Sequence, residues 1–314
     1  MKPIYFLFLF LSTLSFAQLT PPLELQPYYS GVDFSLTGNS LYNDLATETI
    51  ANHTTFLTYT ERHDYLYDAD EDPSNTSNVI LVYSGESRNE NEWLSGANPY
   101  NPQTFNTEHI YPRSLLDNSN AEADLHLLRV CDIDINTSRG NDPFTSGSGG
   151  YSSTGSAWYP GDDWKGDVAR IVMYVNLRYN EPLTDVGSLN LFLQWNAEDP
   201  VSTIEEQRNN IISGAQGVRN PFIDNPYLAT LIWGGTSAEN RWTTLSTNNF
   251  ESYGYKIYPN PIAGDIINIK TDQTLKVEVF NVLGKSLFTK TIYPNNNKID
   301  ISTLKKGMYL VRLD

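Results

Sequence analysis

The stretch that decides the fold of this chain is Asn106-Thr107-Glu108-His109-Ile110-Tyr111-Pro112-Arg113-Ser114. It places a carboxylate, Glu108, directly beside an imidazole, His109. Adjacent residues of a strand point to opposite faces, so these two side chains can share a site only where the strand ends or bends. Pro112 favours such an end. From spacing alone, the pair is either a catalytic site or an exposed glutamate beside a structural histidine.

The residues around this pair include the groups that phosphodiester hydrolysis requires. A base must take a proton from water, and an imidazole with an ordinary pKa of about 6.5 suits that role near neutral pH. A hard cation such as Mg²⁺ prefers one or two protein oxygens and keeps several waters. Glu108 and Asn136 are candidates for those oxygens. A further cation would stabilise the charge of the transition state.

Periodicity outside this stretch predicts a mixed α+β domain. Apolar residues at helical spacing predict helices over 41–59, 167–179, 201–213 and 226–233, and the first of these is followed by an acidic loop at 68–78. An apolar run at 79–83 predicts a buried strand. Strands and helices mix without βαβ alternation, which favours the α+β class.

The ordered motifs of the chain resemble the signature of the bacterial endonuclease I family. The resemblance covers roughly residues 28–235. It implies an α+β domain with a ββα-metal, or His-Me finger, active site. The motifs are residues 106–114, Asp124-Leu125-His126, Asn136 with Arg139 and Asn141, Gly166-Asp167-Val168-Ala169-Arg170 with Tyr174, Trp195, Asp199-Pro200-Val201, Arg208-Asn209, and Gln216 to Phe222.

The resemblance also implies roles for individual residues. His109 would be the general base, and Glu108 and Asn136 would bind one Mg²⁺, with Ca²⁺ or Mn²⁺ as alternatives. Arg139 and Arg170 match family positions and are candidates for phosphate contact, although a helical arginine can equally pair with acids.

Three further residues are candidates for supporting roles. Asp124 would orient metal-bound water or cap a helix, and we expect His126 to be a structural hydrogen-bonding residue, not a second base. Longer family members carry a cysteine-bearing insertion that supplies a phosphate-contacting arginine. Only fourteen residues separate His109 from Asp124 here, so Arg113 is the candidate substitute. His53 and His63 lie outside the motifs, and we expect both at the surface.

The first residues of the chain have the pattern of a secretory signal peptide. Residues 1–17 combine a short basic start, an apolar run and a small-x-small cleavage site, and they are too short for a retained membrane span. No later apolar stretch is long enough to cross a bilayer. Cys131 is the only cysteine, so no disulfide forms within the chain; its apolar neighbours predict a packed thiol.

Composition changes near residue 240 and divides the mature chain. We predict a nuclease domain at 18–240, a linker at 241–254 and a C-terminal domain at 255–314. The last domain alternates short strands with Pro, Asn and Gly turns, which predicts a small β-sandwich. Its motifs resemble the type IX secretion sorting domain, which implies export across the outer membrane by that machinery, followed by release or attachment to the cell surface. These motifs are Ile257 to Pro261, Val279 to Lys285 and Lys306 to Val311.

The charge of the chain has the wrong sign for a conventional nucleic-acid-binding protein. The net charge is −16; residues 18–240 hold ten Lys or Arg against 31 Asp or Glu, and residues 241–314 hold ten against six. We therefore expect a local arginine and metal patch on a negative surface.

The signal, the motifs and the family resemblance together imply a secreted, monomeric, metal-dependent endonuclease that cleaves DNA, as the family does, and RNA as the family often does, with little sequence preference. The alternative is a secreted acidic Ca²⁺-binding surface or adhesion protein without catalysis, built on the acidic run 68–72. That run lacks the Gly and distal Glu of an EF-hand. A metalloprotease is disfavoured because no His-Glu-x-x-His run occurs.

Overall fold

The computed structural model describes residues 19–242, 256–258, 264–271, 274–281, 285–294, 297–304, 307 and 309–313. The chain divides into two compact units, Met1–Leu245 and Ser246–Asp314. The predicted signal peptide at 1–17 and most of the predicted linker at 241–254 lie outside the described residues.

The first unit mixes helices and short strands, which confirms the α+β class. Its described helices are α1 (Gly38–Asn52), α2 (His63–Ala69), α3 (Ile133–Arg139), α4 (Lys165–Tyr179), α5 (Leu189–Glu198), α6 (Thr203–Gln216), α7 (Pro221–Asp224) and α8 (Tyr227–Trp233). Its described strands are β1 (Glu71–Asp72), β2 (Asn75–Ile80), β3 (Ser87–Asn89), β4 (Phe105–His109), β5 (Leu128–Asp132), β6 (Ser152–Ser153) and β7 (Trp158–Tyr159). Strands β1–β2–β3 form one small antiparallel sheet, and β4 pairs antiparallel with β5.

Helix α4 lies at the centre of the larger hydrophobic core. Its apolar stripe produces the helix predicted from spacing, and α1, α5 and α7 pack around it. Arg170 and Arg178 on this helix are buried as well.

Strands β4 and β5 and helix α3 form a consecutive ββα arrangement. In the register, His109 pairs with Leu128 and Phe105 with Asp132. The Asp132 carboxylate caps α3 by accepting hydrogen bonds from the backbone N–H groups of Asp134 and Ile135. Phe105 and Leu128 pack into the second hydrophobic core, which anchors the strand pair. Cys131 is buried in β5, as predicted.

Three elements differ from the expectations of periodicity. Helix α1 ends at Asn52, and residues 53–58 are non-helical. The predicted acidic loop at 68–78 contains the end of α2 and the β1–β2 pair instead. The predicted strand at 79–83 ends at Ile80, because the chain turns through Tyr83 at a positive φ of 71°.

The second unit is an all-β domain, as the sequence predicts. Its described strands are β8 (Lys256–Tyr258), β9 (Ile266–Lys270), β10 (Leu275–Asn281), β11 (Ser286–Ile292), β12 (Lys298–Asp300) and β13 (Tyr309–Leu313). They form two three-stranded sheets, β11–β10–β13 and β12–β9–β8. Both sheets contribute to one apolar core formed by Ile267, Ile269, Val277, Val279, Ile292 and Ile299.

No helix in the described ranges combines the length and the apolar character that crossing a membrane requires.

Candidate active site

His109 is the last residue of β4, where the chain leaves the strand. Its Nε2 lies 3.0 Å from the backbone carbonyl oxygen of Glu122. Because a carbonyl oxygen can only accept, Nε2 carries the proton and donates. The other ring nitrogen, Nδ1, is therefore left with a lone pair in the neutral ring. This arrangement fixes both the tautomer and the orientation that a general base requires.

The surroundings of His109 keep its ring neutral near neutral pH. Burial is the main cause, and it lowers the pKa of His109 to about 4 against the opposing effect of the Glu122 carbonyl. The positive charges of Arg113, Arg62 and Arg139 lower it further. A neutral imidazole can accept a proton, which the charged form cannot do.

The Glu108 carboxylate is buried on the other side of the same strand end. Its Oε1 accepts a hydrogen bond from the Tyr83 hydroxyl at 2.9 Å and lies 3.4 Å from Arg139 Nε. Burial raises the pKa of Glu108, while Arg139, Tyr83 and the His109 backbone N–H oppose that shift. Within the described ranges no side chain donates a hydrogen bond to Oε2.

Asn136 in α3 turns its amide towards the strand that carries Glu108. Its Nδ2 donates to Asn106 Oδ1 at 2.7 Å and to the Thr107 carbonyl at 3.3 Å. Asn106 and Glu108 share a face of β4, because they are two residues apart. These two donated hydrogen bonds orient the amide, and Oδ1 accepts none from the described residues.

The donor set at this place fits a hard divalent cation. One carboxylate oxygen of Glu108 and the amide oxygen of Asn136 remain available as ligands. Mg²⁺ accepts one or two such oxygens and completes its coordination with water. The part of the chain that the structure describes contains no group of three or more His, Cys, Asp or Glu side chains that could hold a metal.

Arg139 lies one helical turn after Asn136 and is buried. Its Nη2 donates to the Ile110 carbonyl at 2.8 Å and its Nη1 to the Gly140 carbonyl at 2.9 Å. The guanidinium therefore holds the chain immediately after the Glu108–His109 pair. Its contact with phosphate stays a prediction.

Arg170 belongs to a different cluster. Its Nε and Nη2 donate to the two carboxylate oxygens of Glu205 at 2.6 and 2.8 Å, and its Nη1 donates to the Asp199 carbonyl at 2.8 Å. The side chain is fully buried in this network. None of its hydrogen bonds reaches Glu108, His109 or Asn136, so its predicted phosphate contact has no geometric support here.

Asp124 and His126 are buried beside the site in hydrogen-bonding positions. Asp124 accepts from the hydroxyl groups of Tyr174 and Tyr179 and from the His126 backbone N–H. His126 donates through Nε2 to the Val218 carbonyl at 3.1 Å, and burial lowers its pKa to about 4. These contacts fit the structural role predicted for His126.

The expected surface position of His53 is wrong. The end of α1 turns this ring inwards, where Nε2 lies 2.9 Å from Gln216 Nε2 and Nδ1 lies 3.9 Å from Asp124. Only 4% of its surface is accessible. His63 is half-buried, with its Nδ1 2.5 Å from the Tyr67 hydroxyl.

Arg113 is exposed and forms an ion pair with Glu122, the residue whose carbonyl holds His109. Two other residues stand beside His109 that sequence reasoning missed, namely Tyr59 and Arg62. A basic residue three positions after an aromatic one was the available signal. Tyr83, the hydrogen-bond donor to Glu108, was also missed, and no motif contains it.

The acidic run at 68–72 does not form an open cation site. Asp70 is completely buried, and its Oδ1 accepts from Arg129 Nε and from Arg208 Nη1. Its Oδ2 accepts from the Val130 backbone N–H at 2.9 Å. Both carboxylate oxygens of Asp70 are therefore occupied, and this run gives no support to the Ca²⁺-binding alternative.

A neutral imidazole and a carboxylate at the end of one strand, with an amide oxygen on the following helix, form a site that suits a hydrolase. Residues 37–227 match the family described as Endonuclease I. The chain belongs to that family and is a nuclease. Residues 256–314 match the family described as Secretion system C-terminal sorting domain, so the protein is secreted or attached to the cell surface.

Curated relatives agree with the family match. The chain is 37% identical over 243 residues to the extracellular ribonuclease of Bacillus subtilis (strain 168), covering 69% of this chain and 82% of that relative. It is 35% identical over 245 residues to the extracellular ribonuclease of Bacillus amyloliquefaciens, covering 70% and 82%. A shorter match, 33% identical over 82 residues, joins 24% of this chain to 17% of the beta-agarase D of Zobellia galactanivorans.

Proposed function

We propose that this protein is a metal-dependent endonuclease that hydrolyses phosphodiester bonds of both DNA and RNA with little sequence preference. The observation that carries the proposal is the state of His109. Its Nε2–H is committed to the Glu122 carbonyl, so Nδ1 of the neutral ring keeps a lone pair that can accept a proton. A general base for water activation has this form.

In this mechanism Nδ1 of His109 takes one proton from a water molecule. The water oxygen forms a bond to phosphorus, and the bond from phosphorus to the leaving sugar oxygen breaks. That oxygen then gains a proton from solvent, which balances the reaction. The Glu122 carbonyl stabilises the imidazolium that forms, because it already accepts the Nε2 proton.

Glu108 and Asn136 would hold the divalent cation in a His-Me finger arrangement. When bound, Mg²⁺ would supply positive charge that offsets the charge of the phosphate and of the leaving oxygen. Tyr83 and Arg139 fix the Glu108 carboxylate, and Asn106 fixes the Asn136 amide. Ca²⁺ or Mn²⁺ accept similar oxygen donors and are the alternatives to test.

Cleavage of both nucleic acids rests on two supports. The Bacillus relatives carry the name extracellular ribonuclease, which supports RNA as a substrate. The proposed base, metal ligands and arginines would all act on the phosphate. Contacts with phosphate do not distinguish one nucleobase from another.

The test incubates the full chain with plasmid DNA and, separately, with an RNA transcript, each with Mg²⁺ and with chelator. We expect cleavage of both with Mg²⁺ and none with chelator. His109→Ala should lose at least about 100-fold in rate, the lower range for removal of a general base, while still binding metal and DNA.

His63→Gln is the matched control, because it alters a half-buried histidine whose Nδ1 contacts Tyr67. We expect near-normal cleavage from it. Near-normal turnover by His109→Ala would remove His109 as the base, and intact nucleic acid in every wild-type reaction would contradict the proposed function.

A further inference from the structure

The surface beside His109 carries two arginines arranged around one tyrosine. The Tyr59 ring stacks against the His109 ring, with centroids 5.7 Å apart and planes 18° apart. The guanidinium carbon of Arg62 lies 3.5 Å from the centre of the Tyr59 ring, and that of Arg113 lies 5.5 Å from it. We call Tyr59, Arg62 and Arg113 the arginine–tyrosine cluster.

Arg62 is held in place but keeps part of its guanidinium free. Its Nε donates to Thr107 Oγ1 at 3.1 Å, and its Nη1 donates to the Tyr59 carbonyl. Within the described ranges its Nη2 donates no hydrogen bond. Thr107 and His109 are two residues apart in β4 and therefore share a face of the strand. The free end of Arg62 thus lies on the face that carries the base.

Arg139 and Arg170, the two arginines that the family resemblance suggests for phosphate contact, already form hydrogen bonds within the protein. Arg139 donates to the carbonyls of Ile110 and Gly140, and Arg170 is bound to Glu205. Both are buried. Arg113 differs, because 61% of its side chain is exposed and its ion pair with Glu122 is accessible to solvent. A substrate phosphate can therefore reach Arg62 and Arg113 without displacing a buried ion pair.

We propose that the arginine–tyrosine cluster binds the substrate backbone, with Arg62 contacting the scissile phosphate and Arg113 a neighbouring one. This assignment rests on the proposed function. It gives Arg62 the place of the arginine that the insertion supplies in longer family members, while Arg113 comes from the short segment between His109 and Asp124. The planar guanidinium suits paired contacts with phosphate oxygens. Tyr59 acts as a positioning residue. Both guanidinium groups lie over its ring in cation–π contacts, and the same ring stacks against His109.

The test compares the full chain with Arg62→Ala, Arg62→Gln and Arg113→Ala. Arg241→Ala is the matched control, because Arg241 is also half-buried, pairs with Glu206 and donates to the Ile223 carbonyl. Binding of a short fluorescent duplex DNA is measured with chelator present, between about 50 and 200 mM NaCl. Cleavage of the same duplex is measured with Mg²⁺, and thermal unfolding is followed for every variant.

We expect Arg62→Ala to lower kcat/KM about 100-fold, the usual loss when one donor to developing charge is removed. The slope of log binding constant against log salt should become shallower by about 0.9 for each lost phosphate contact, for Arg62→Ala and for Arg113→Ala. Arg113→Ala should lose less activity, and Arg241→Ala should match wild type in both readouts.

Arg62→Gln keeps an amide that can hydrogen-bond to Thr107 and Tyr59. If Arg62→Ala unfolds, this second variant tests whether Arg62 contacts the phosphate. A folded Arg62 variant with wild-type cleavage, or with an unchanged salt slope, overturns the assignment. If His109→Ala is inactive while the Arg62 variants cleave normally, the cluster assignment alone fails. If wild type neither binds nor cleaves the duplex, the proposed function fails together with it.

Discussion

At the scale of single residues, Tyr83 is the most unusual feature of the site. Its φ of 71° lies in the left-handed region, which costs a bulky residue of order 1 kcal/mol or more. Only 3% of its surface is accessible, and its hydroxyl donates to Glu108 Oε1 at 2.9 Å. The strained turn thus delivers a hydrogen-bond donor to the carboxylate that we propose as a metal ligand.

Tyr83→Phe should weaken the response to metal while leaving the fold intact. The ring and the turn remain, but Glu108 loses a partner that orients it. Loss of such outer partners of a ligand lowers metal affinity by about 10- to 100-fold. We therefore expect the Mg²⁺ concentration for half-maximal cleavage to rise by that factor, with kcat at saturating Mg²⁺ changed less.

Tyr29→Phe is the control, since Tyr29 is also buried and donates to a carboxylate, Asp224 Oδ2, at 2.7 Å. Its Mg²⁺ response should equal that of wild type. An unchanged Mg²⁺ requirement in Tyr83→Phe would show that the hydroxyl does not position Glu108.

At the scale of elements, a buried network of ion pairs joins the active-site strand to the helices behind it. Arg129 of β5 pairs with Asp70 and with Asp167 of α4, at 2.8 and 3.0 Å. Arg170 of α4 pairs with Glu205 of α6. The network holds β5, and with it the ββα arrangement, against α4 and α6.

Arg170→Met should destabilise this network and not act on the chemistry directly. Removing one partner of a buried ion pair costs about 3–5 kcal/mol, because the other charge is left unpaired. We expect a loss of that size in the free energy of unfolding, measured with urea, and near-normal cleavage below the transition.

The double variant Arg170→Met with Glu205→Gln removes the stranded charge and keeps a residue that can complete the Ser202 capping box. It should recover much of the lost stability. The opposite pattern, full stability with lost cleavage in Arg170→Met, would favour the phosphate contact that the family resemblance implies.

At the scale of the whole molecule, the nuclease unit stays strongly negative outside even when its buried charges are left out. Residues 18–240 carry a net charge of −21, with ten basic residues against 31 acidic ones. Five arginines and eight acidic residues of this range are buried, so five basic and 23 acidic residues remain outside, a net charge of −18. Long-range repulsion of a polyanion therefore opposes the short-range attraction of the arginine–tyrosine cluster.

Cleavage should accordingly pass through a maximum as ionic strength rises. Salt of about 0.1 M shortens the Debye length to about 10 Å, which screens the distant acidic surface before it weakens close contacts. The measurement is the initial rate on long duplex DNA against NaCl concentration at constant Mg²⁺. A dinucleotide, which carries little charge, is the control and should show no rising phase. A rate on long DNA that falls steadily from low salt upwards would contradict this balance.

The sequence alone determined those parts of the protein that depend on neighbours along the chain. The apolar stripe of α4, the helical spacing at 201–213 and 226–233, and the alternating strands of the second unit all have short periods. Glu108, His109 and Asn136 belong to one ββα segment, so the family motif could identify them together although Asn136 is 28 positions from Glu108.

The tertiary structure alone decided which groups support that pair and which do not. Tyr83 and Glu108 are 25 positions apart, and Arg62 meets Thr107 across 45, so no spacing rule connects them. Likewise, only the packing of α6 against α4 brings Glu205, 35 positions away, into an ion pair with Arg170. Local periodicity fixes which face of an element is apolar, whereas only the packing of distant elements decides whether a charged side chain on it is paired, buried or free.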